Sequence, residues 1–188
     1  ARSIGNHLAK IPVARLNGRM SKKFFFILGL LLSGNIFAVD GYYLGVSAGH
    51  VALTGKSSGG RSGTLGVNLE GAIRANPILD IALNIHYSPH PGGLTIWGEM
   101  ISANFHIWEV NDFDLTIGGG PGFYTFKTSD SETLFGLHIG AAGDLHLGDN
   151  VRLGLGVRYN GIFGGKDTGT GDNFATVMAR LGFFFPVE

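Results

Sequence analysis

Between Tyr42 and Phe185 apolar and polar residues alternate with a period of two, the spacing of a β-strand rather than a helix. Eight segments carry the pattern. In Tyr42–Leu53, Leu44, Val46 and Ala48 share one face and Gly45, Ser47 and Gly49 the other. Thr64–Ala75 sets Leu65, Val67, Leu69 and Ile73 against Asn68, Glu70 and Arg74. Asp80–Ser88 sets Ile81, Leu83, Ile85 and Tyr87 against Ala82, Asn84 and His86, and Thr95–Ile107 sets Trp97, Ile101, Ala103 and Phe105 against Met100, Ser102, Asn104 and His106. Phe113–Phe126, Leu134–Leu147, Val151–Phe163 and Phe174–Phe185 continue the alternation. No apolar run after Ala38 reaches the roughly 20 residues of a membrane helix.

The composition of the two faces says which one is inside. The polar face of a soluble sandwich would be rich in Lys, Glu and Thr. Here it holds Gly, Ser and Ala with a few His, Asn, Arg and acids, which suits the crowded interior of a narrow barrel. The other face is apolar along every segment, as contact with lipid requires. Segments of roughly 9 to 14 residues match tilted strands crossing a bilayer. The expected fold is therefore all-β: an eight-stranded antiparallel up-and-down transmembrane β-barrel.

The connections give an orientation. Those at residues 75–78, 108–112 and 148–150 are short, whereas those around 54–63, 89–94, 127–133 and 164–173 are mostly longer and rich in Gly, Ser and Asp. Outer-membrane barrels keep tight turns in the periplasm and longer loops outside, so both termini are expected to be periplasmic. Tyr42, Tyr87, Trp97, Trp108, Phe113, Phe163 and Phe183 lie near segment ends, where interfacial aromatic girdles belong. Pro121 interrupts the fifth segment within a glycine run at 118–122 and predicts a bulge or kink, because proline donates nothing to a ladder. The run lacks the Lys and following helix of a phosphate loop.

Charge divides the chain. Six basic residues and no acidic one precede Ala38; from Val39 onward 8 Lys and Arg face 14 Asp and Glu, a formal charge of −6. An acidic body argues against nucleic-acid binding. The basic part explains itself as a leader. Lys22 and Lys23 precede an apolar run of about nine residues, Phe24–Leu32, and small residues lead to Ala38, so residues 20–38 read as a cleavable signal peptide. Residues 1–19 read as an upstream segment outside the fold, and 39–188 as the barrel. With no cysteine there is no disulfide framework or thiolate metal site.

Three stretches resemble a known family. They are Gly-Tyr-Tyr-Leu-Gly-Val-Ser-Ala-Gly at 41–49, the hairpin at 146–159, and Arg-Leu-Gly-Phe-Phe-Phe at 180–185. These are similar to the small OmpA-like, eight-stranded outer-membrane barrels. The resemblance implies residence in a bacterial outer membrane. It implies outer-membrane lipid, lipopolysaccharide and the insertion machinery as partners, and a monomer.

The inward face carries the candidate chemistry. Glu70, Asp114 and Asp144 face Arg74, Arg152, Arg158 and Arg180, and buried charges must pair. Glu70, Arg158 and Arg180 are expected to meet across the lumen and plug it. A small pore for ions or solutes is the alternative, kept open by a glycine-rich upper lumen. Inward His86, His106, His138 and His146 lie on different strands without a ligand motif, so neither metal nor cofactor is expected. Finally, His86, Ser88 and Glu99 resemble the His-x-Ser…Glu arrangement of outer-membrane lipid A deacylases, which would make them base, nucleophile and orienting acid. The alternation sets His86 on the face of Ala82 and Asn84 but Glu99 on that of Trp97 and Ile101. The three therefore diverge, and no enzymatic activity is expected.

Overall fold

The computed structural model describes residues 39–54, 63–164 and 173–187; the expected leader and the segment before it lie outside these. Eight strands follow one another: β1 (Gly41–Leu53), β2 (Thr64–Asn76), β3 (Leu79–His90), β4 (Leu94–Val110), β5 (Phe113–Lys127), β6 (Ser131–His146), β7 (Val151–Phe163) and β8 (Phe174–Pro186). Each pairs antiparallel with its sequence neighbours, and β8 closes on β1. Closure leaves no edge strand, so every ladder donor and acceptor has a partner strand, the condition for crossing hydrocarbon with β-structure.

Register fixes the barrel's dimensions. A path of paired residues from Gly41 runs through Arg74, Asp80, Asn104, Gly118, Gly140, Arg158 and Thr176 and returns to β1 at Val51, ten residues beyond its start. With about 3.3 Å per residue and about 4.8 Å between strands, that stagger over eight strands tilts them by roughly 40° and gives a radius of about 8 Å. Such a tube is filled by its own side chains.

The outward face is the apolar one. Leu44, Leu65, Leu69, Ile139, Leu155 and Val177 are among its exposed residues. Two rings of aromatic contacts bound this belt. Above, Tyr87 meets Trp97 edge-on at 6.2 Å, Phe123 meets Phe135 at 5.8 Å, and Phe135 stacks on Phe163 at 6.2 Å. Below, Trp108 meets Phe113 at 6.2 Å. Along tilted β5, Phe113 and Phe123 are separated by about 25 Å of height, the thickness of an outer-membrane apolar band. Thr125 and Thr133, hydrogen-bonded to each other at 2.8 Å on the outer wall, stand beyond the upper ring, where headgroups would replace acyl chains.

Three expectations about the wall are corrected. Pro121 makes no bulge: it lies in register opposite Leu137, and beside it β4–β5 pairing lapses between Met100↔Gly122 and Ala103↔Gly119 and resumes unshifted. Its missing donor falls on the β4 side, and the ladder to β6 carries the strand through. The bulges stand instead beside the tight turns, between Arg74 and Asn76 and between His106 and Trp108. The connections at 89–94 and 127–133 are not long loops either. Strands β3 to β6 run on through them and leave three-residue turns at 91–93 and 128–130. Paired flanks outcompete a composition rich in Pro, Gly and Ser.

Candidate functional site

The lumen is the candidate site, and the even-numbered residues of β2 to β8 build most of it. At the lower rim, beside the short turns, two guanidinium groups stand over the Phe184 ring, Arg74 at 5.2 Å and Arg152 at 5.0 Å from its centroid. Such cation–π contacts are favourable where the cation is partly desolvated. Tyr43 takes Arg152 on its own ring at 5.9 Å. The Tyr43 ring can lie across the lumen because Gly45 and Gly182 flank it; a Cβ at either would overlap the ring.

An ionic layer sits among these groups. Arg74 Nε binds Asp80 Oδ1 at 3.0 Å. The His106 ring spans two carboxylates, with Nε2 at 2.9 Å from Asp80 Oδ2 and Nδ1 at 2.7 Å from Asp114 Oδ2. Arg152 approaches Asp114 Oδ2 at 3.6 Å. Above this, Arg180 divides itself between Glu70 Oε1 and Asp144 Oδ2, both at 3.5 Å. The structure thus brings Glu70, Arg74, Asp114, Asp144, Arg152 and Arg180 into ion pairs.

Arg158 is the exception. It forms no ion pair among the described residues and contacts Asn84 Oδ1 at 2.9 Å, Asn68 Oδ1 at 3.4 Å and Met100 Sδ at 3.6 Å. The stagger is the reason: Arg158 pairs with Thr176 on β8, whereas Arg180 lies lower, opposite Gly154. Arg158 therefore reaches Asn68, one inward position above Glu70 on β2. A polar relay continues there, from Asn68 Nδ2 to Asn84 Oδ1 at 3.2 Å, Asn84 Nδ2 to Ser102 Oγ at 3.1 Å, and Ser102 Oγ to His138 Nε2 at 2.8 Å.

The upper lumen, whose glycines kept the small-pore alternative open, holds large apolar side chains as well. Val51, Leu53, Leu94, Ile96, Met100, Tyr124, Phe126, Leu134, Phe174 and Met178 form one buried apolar cluster across it. Phe174 is fully buried, stacked on His86 at 5.3 Å and edge-on to Tyr124 at 5.7 Å. The Tyr124 hydroxyl donates to Asn160 Oδ1 at 3.0 Å, which satisfies the buried phenol. Glycines do line this wall (Gly98, Gly122, Gly136), but the Tyr124 ring fills the space beside each of them.

The His86, Ser88 and Glu99 set does not converge. His86 Nε2 lies 3.1 Å from Ser88 Oγ inside the barrel, and His90 Nε2 lies 3.2 Å from the same oxygen. Glu99 is opposite Ile85 on the outer wall, where its Oε1 accepts from Trp97 Nε1 at 3.3 Å. Ser88 is completely buried.

Some lumen residues were not singled out from sequence. Asp80 continues the inward parity of Ala82 and Asn84, so extending that parity to the strand end would have found it. The same rule would have turned Leu94, Ile96, Tyr124, Phe126 and Phe174 inward. Their apolar character hid them, because polarity was the marker for the lumen.

With a closed wall, an apolar outer belt between two aromatic rings and a polar interior, the described residues form an eight-stranded transmembrane β-barrel. No protein-family model and no curated protein matches the chain. Solved structures do. Neisserial surface protein A superposes with a TM-score of 0.62 at 17% identity, over 78% of this chain and 97% of that one. The outer membrane protein OprG of Pseudomonas aeruginosa gives 0.55 at 12% identity, over 80% and 99%. The N-terminal β-barrel domain of Pseudomonas aeruginosa OprF gives 0.52 at 10% identity, over 76% and 97%. At these identities the likeness is one of fold: the chain has the fold of the small eight-stranded outer-membrane barrels.

Proposed function

We propose that this chain is a structural barrel of a bacterial outer membrane, with a lumen closed to ions and solutes. The carrying observation is the apolar stopper, ten buried residues lying across the lumen above the Arg180 layer. An ion rising through the charged lower half would have to shed its water to pass these close-packed apolar side chains, which is strongly unfavourable. Below, Arg74 and Arg152 close over Phe184. Two barriers of different chemistry in series favour the plugged reading over the small-pore reading.

The short turns at 77–78 and 111–112 share one rim with the start of β1 and the end of β8. We assign that rim to the periplasm and the opposite one to the cell exterior. Lipid and lipopolysaccharide are the partners that the outer belt suits, and the outer-membrane insertion machinery would deliver the barrel to them. Complete strand pairing favours a monomer, because no open edge recruits a second chain. The reading includes no catalytic step, since His86 and Ser88 face the lumen and Glu99 the outside.

Planar-bilayer recording on the refolded protein is the test. The expected result is a baseline without stepwise current at any holding potential. Reproducible unitary steps would overturn the closed lumen in favour of the small pore.

A further inference from the structure

Between the Arg180 layer and the apolar stopper the lumen keeps a cavity of about 60 Å³, bordered by Asn68, Glu70, Ser102, Arg158, Thr176 and Arg180. One water needs about 10–15 Å³ by the same measure, so only a few small occupants fit.

The charges around it are unevenly placed. Arg180 takes both nearby carboxylates, Glu70 and Asp144. Among the described residues Arg158, which stands above them, meets uncharged acceptors only. A guanidinium has five N–H donors. Three contacts, two of them at 3.4 and 3.6 Å, leave donor capacity on a side chain that lines the cavity. The hydroxyls of Ser102 and Thr176 border the same space. Apart from Glu70, Arg158 and Arg180 its lining holds no Asp, Glu, Lys or Arg. A buried cation without a counter-charge is costly.

We propose that the cavity binds one small inorganic monoanion of the halide class, held by Arg158. Its size excludes phosphate esters and carboxylic acids larger than the cavity. Glu70 on the lower wall, already held by Arg180, places the anion at the upper wall beside Arg158. The ion enters as the barrel closes around it during folding, so its presence does not require a conducting lumen.

Bromide is the probe, because its anomalous scattering locates it. The full chain is refolded in sodium bromide and crystallised, and the same is done for Arg158→Met. The expected result is a bromide peak in the cavity within hydrogen-bonding distance of the Arg158 guanidinium, absent from the variant. In urea unfolding at equal ionic strength, bromide should raise the wild-type midpoint over gluconate, which is too large to enter, and the gain should saturate. A wild-type cavity without bromide, or a peak that persists in Arg158→Met, overturns the proposal. Should Arg158→Met fail to refold, the wild-type map decides alone, with Thr176→Val expected to weaken the peak.

Discussion

Leu155→Arg should destabilise the folded barrel in lipid vesicles by about 2–4 kcal/mol, the cost of a cationic side chain near the bilayer midplane of an outer-membrane barrel. Leu155 is 65% exposed and points away from the lumen, between Gly143 and Ala179 on its neighbouring strands. It lies four positions from the lower end of β7 and eight from Phe163 in the upper aromatic ring. In a water-soluble barrel the same substitution at so exposed a site would change stability by less than about 0.5 kcal/mol. A control fixes the interpretation: Thr133→Arg, beyond the upper ring, should cost no more than about 1 kcal/mol. Urea unfolding of protein refolded into vesicles, followed by tryptophan fluorescence, measures both. A small effect at Leu155 would mean that the outer face is not in lipid.

Truncating the stopper should be at least as damaging. Phe174→Ala removes a fully buried ring that stacks on His86 and meets Tyr124 edge-on. Large-to-small changes of this kind cost about 3–5 kcal/mol, through lost transfer energy and the cavity left behind. Relaxation is limited here, because the neighbours sit on a closed wall that cannot collapse inward. Phe174→Leu, which keeps most of the volume, should cost less than half as much. The same unfolding assay reads the difference. Equal, small losses for both variants would mean that Phe174 faces a hydrated lumen, and the closed-lumen proposal would lose its main support.

The fold was legible because a lipid-facing barrel writes its two environments onto alternate residues. Leu65, Val67 and Leu69 against Asn68, Glu70 and Arg74 already give the outward and inward faces of β2. The aromatic girdles were legible for the same reason, since Trp97 and Phe163 lie where apolar outward runs end. Register was not legible. Alternation tells which face a residue takes and says nothing of the ten-residue stagger, and that stagger is what separates Arg158 from Glu70 and sets it beside Asn68 and Asn84. Pro121 misled because a missing donor was equated with a bulge; the ladder to β6 keeps β5 in register. The stopper was missed because an apolar inward residue such as Ile96 or Phe126 looks like any other strand residue until parity is followed to the strand's end.

Site-directed spin labelling in vesicles tests the lipid-facing wall most directly. Single cysteines, labelled at Leu69, Leu155 and Val157 within the belt and at Thr95 and Thr133 beyond the upper aromatic ring, are compared for collision with oxygen, which concentrates in lipid, and with a water-soluble nickel chelate. Labels within the belt should relax with oxygen and be shielded from nickel, with the order reversed at Thr95 and Thr133. Nickel access at Leu69, Leu155 and Val157 equal to that at Thr133 would place the apolar face in water and contradict a transmembrane barrel.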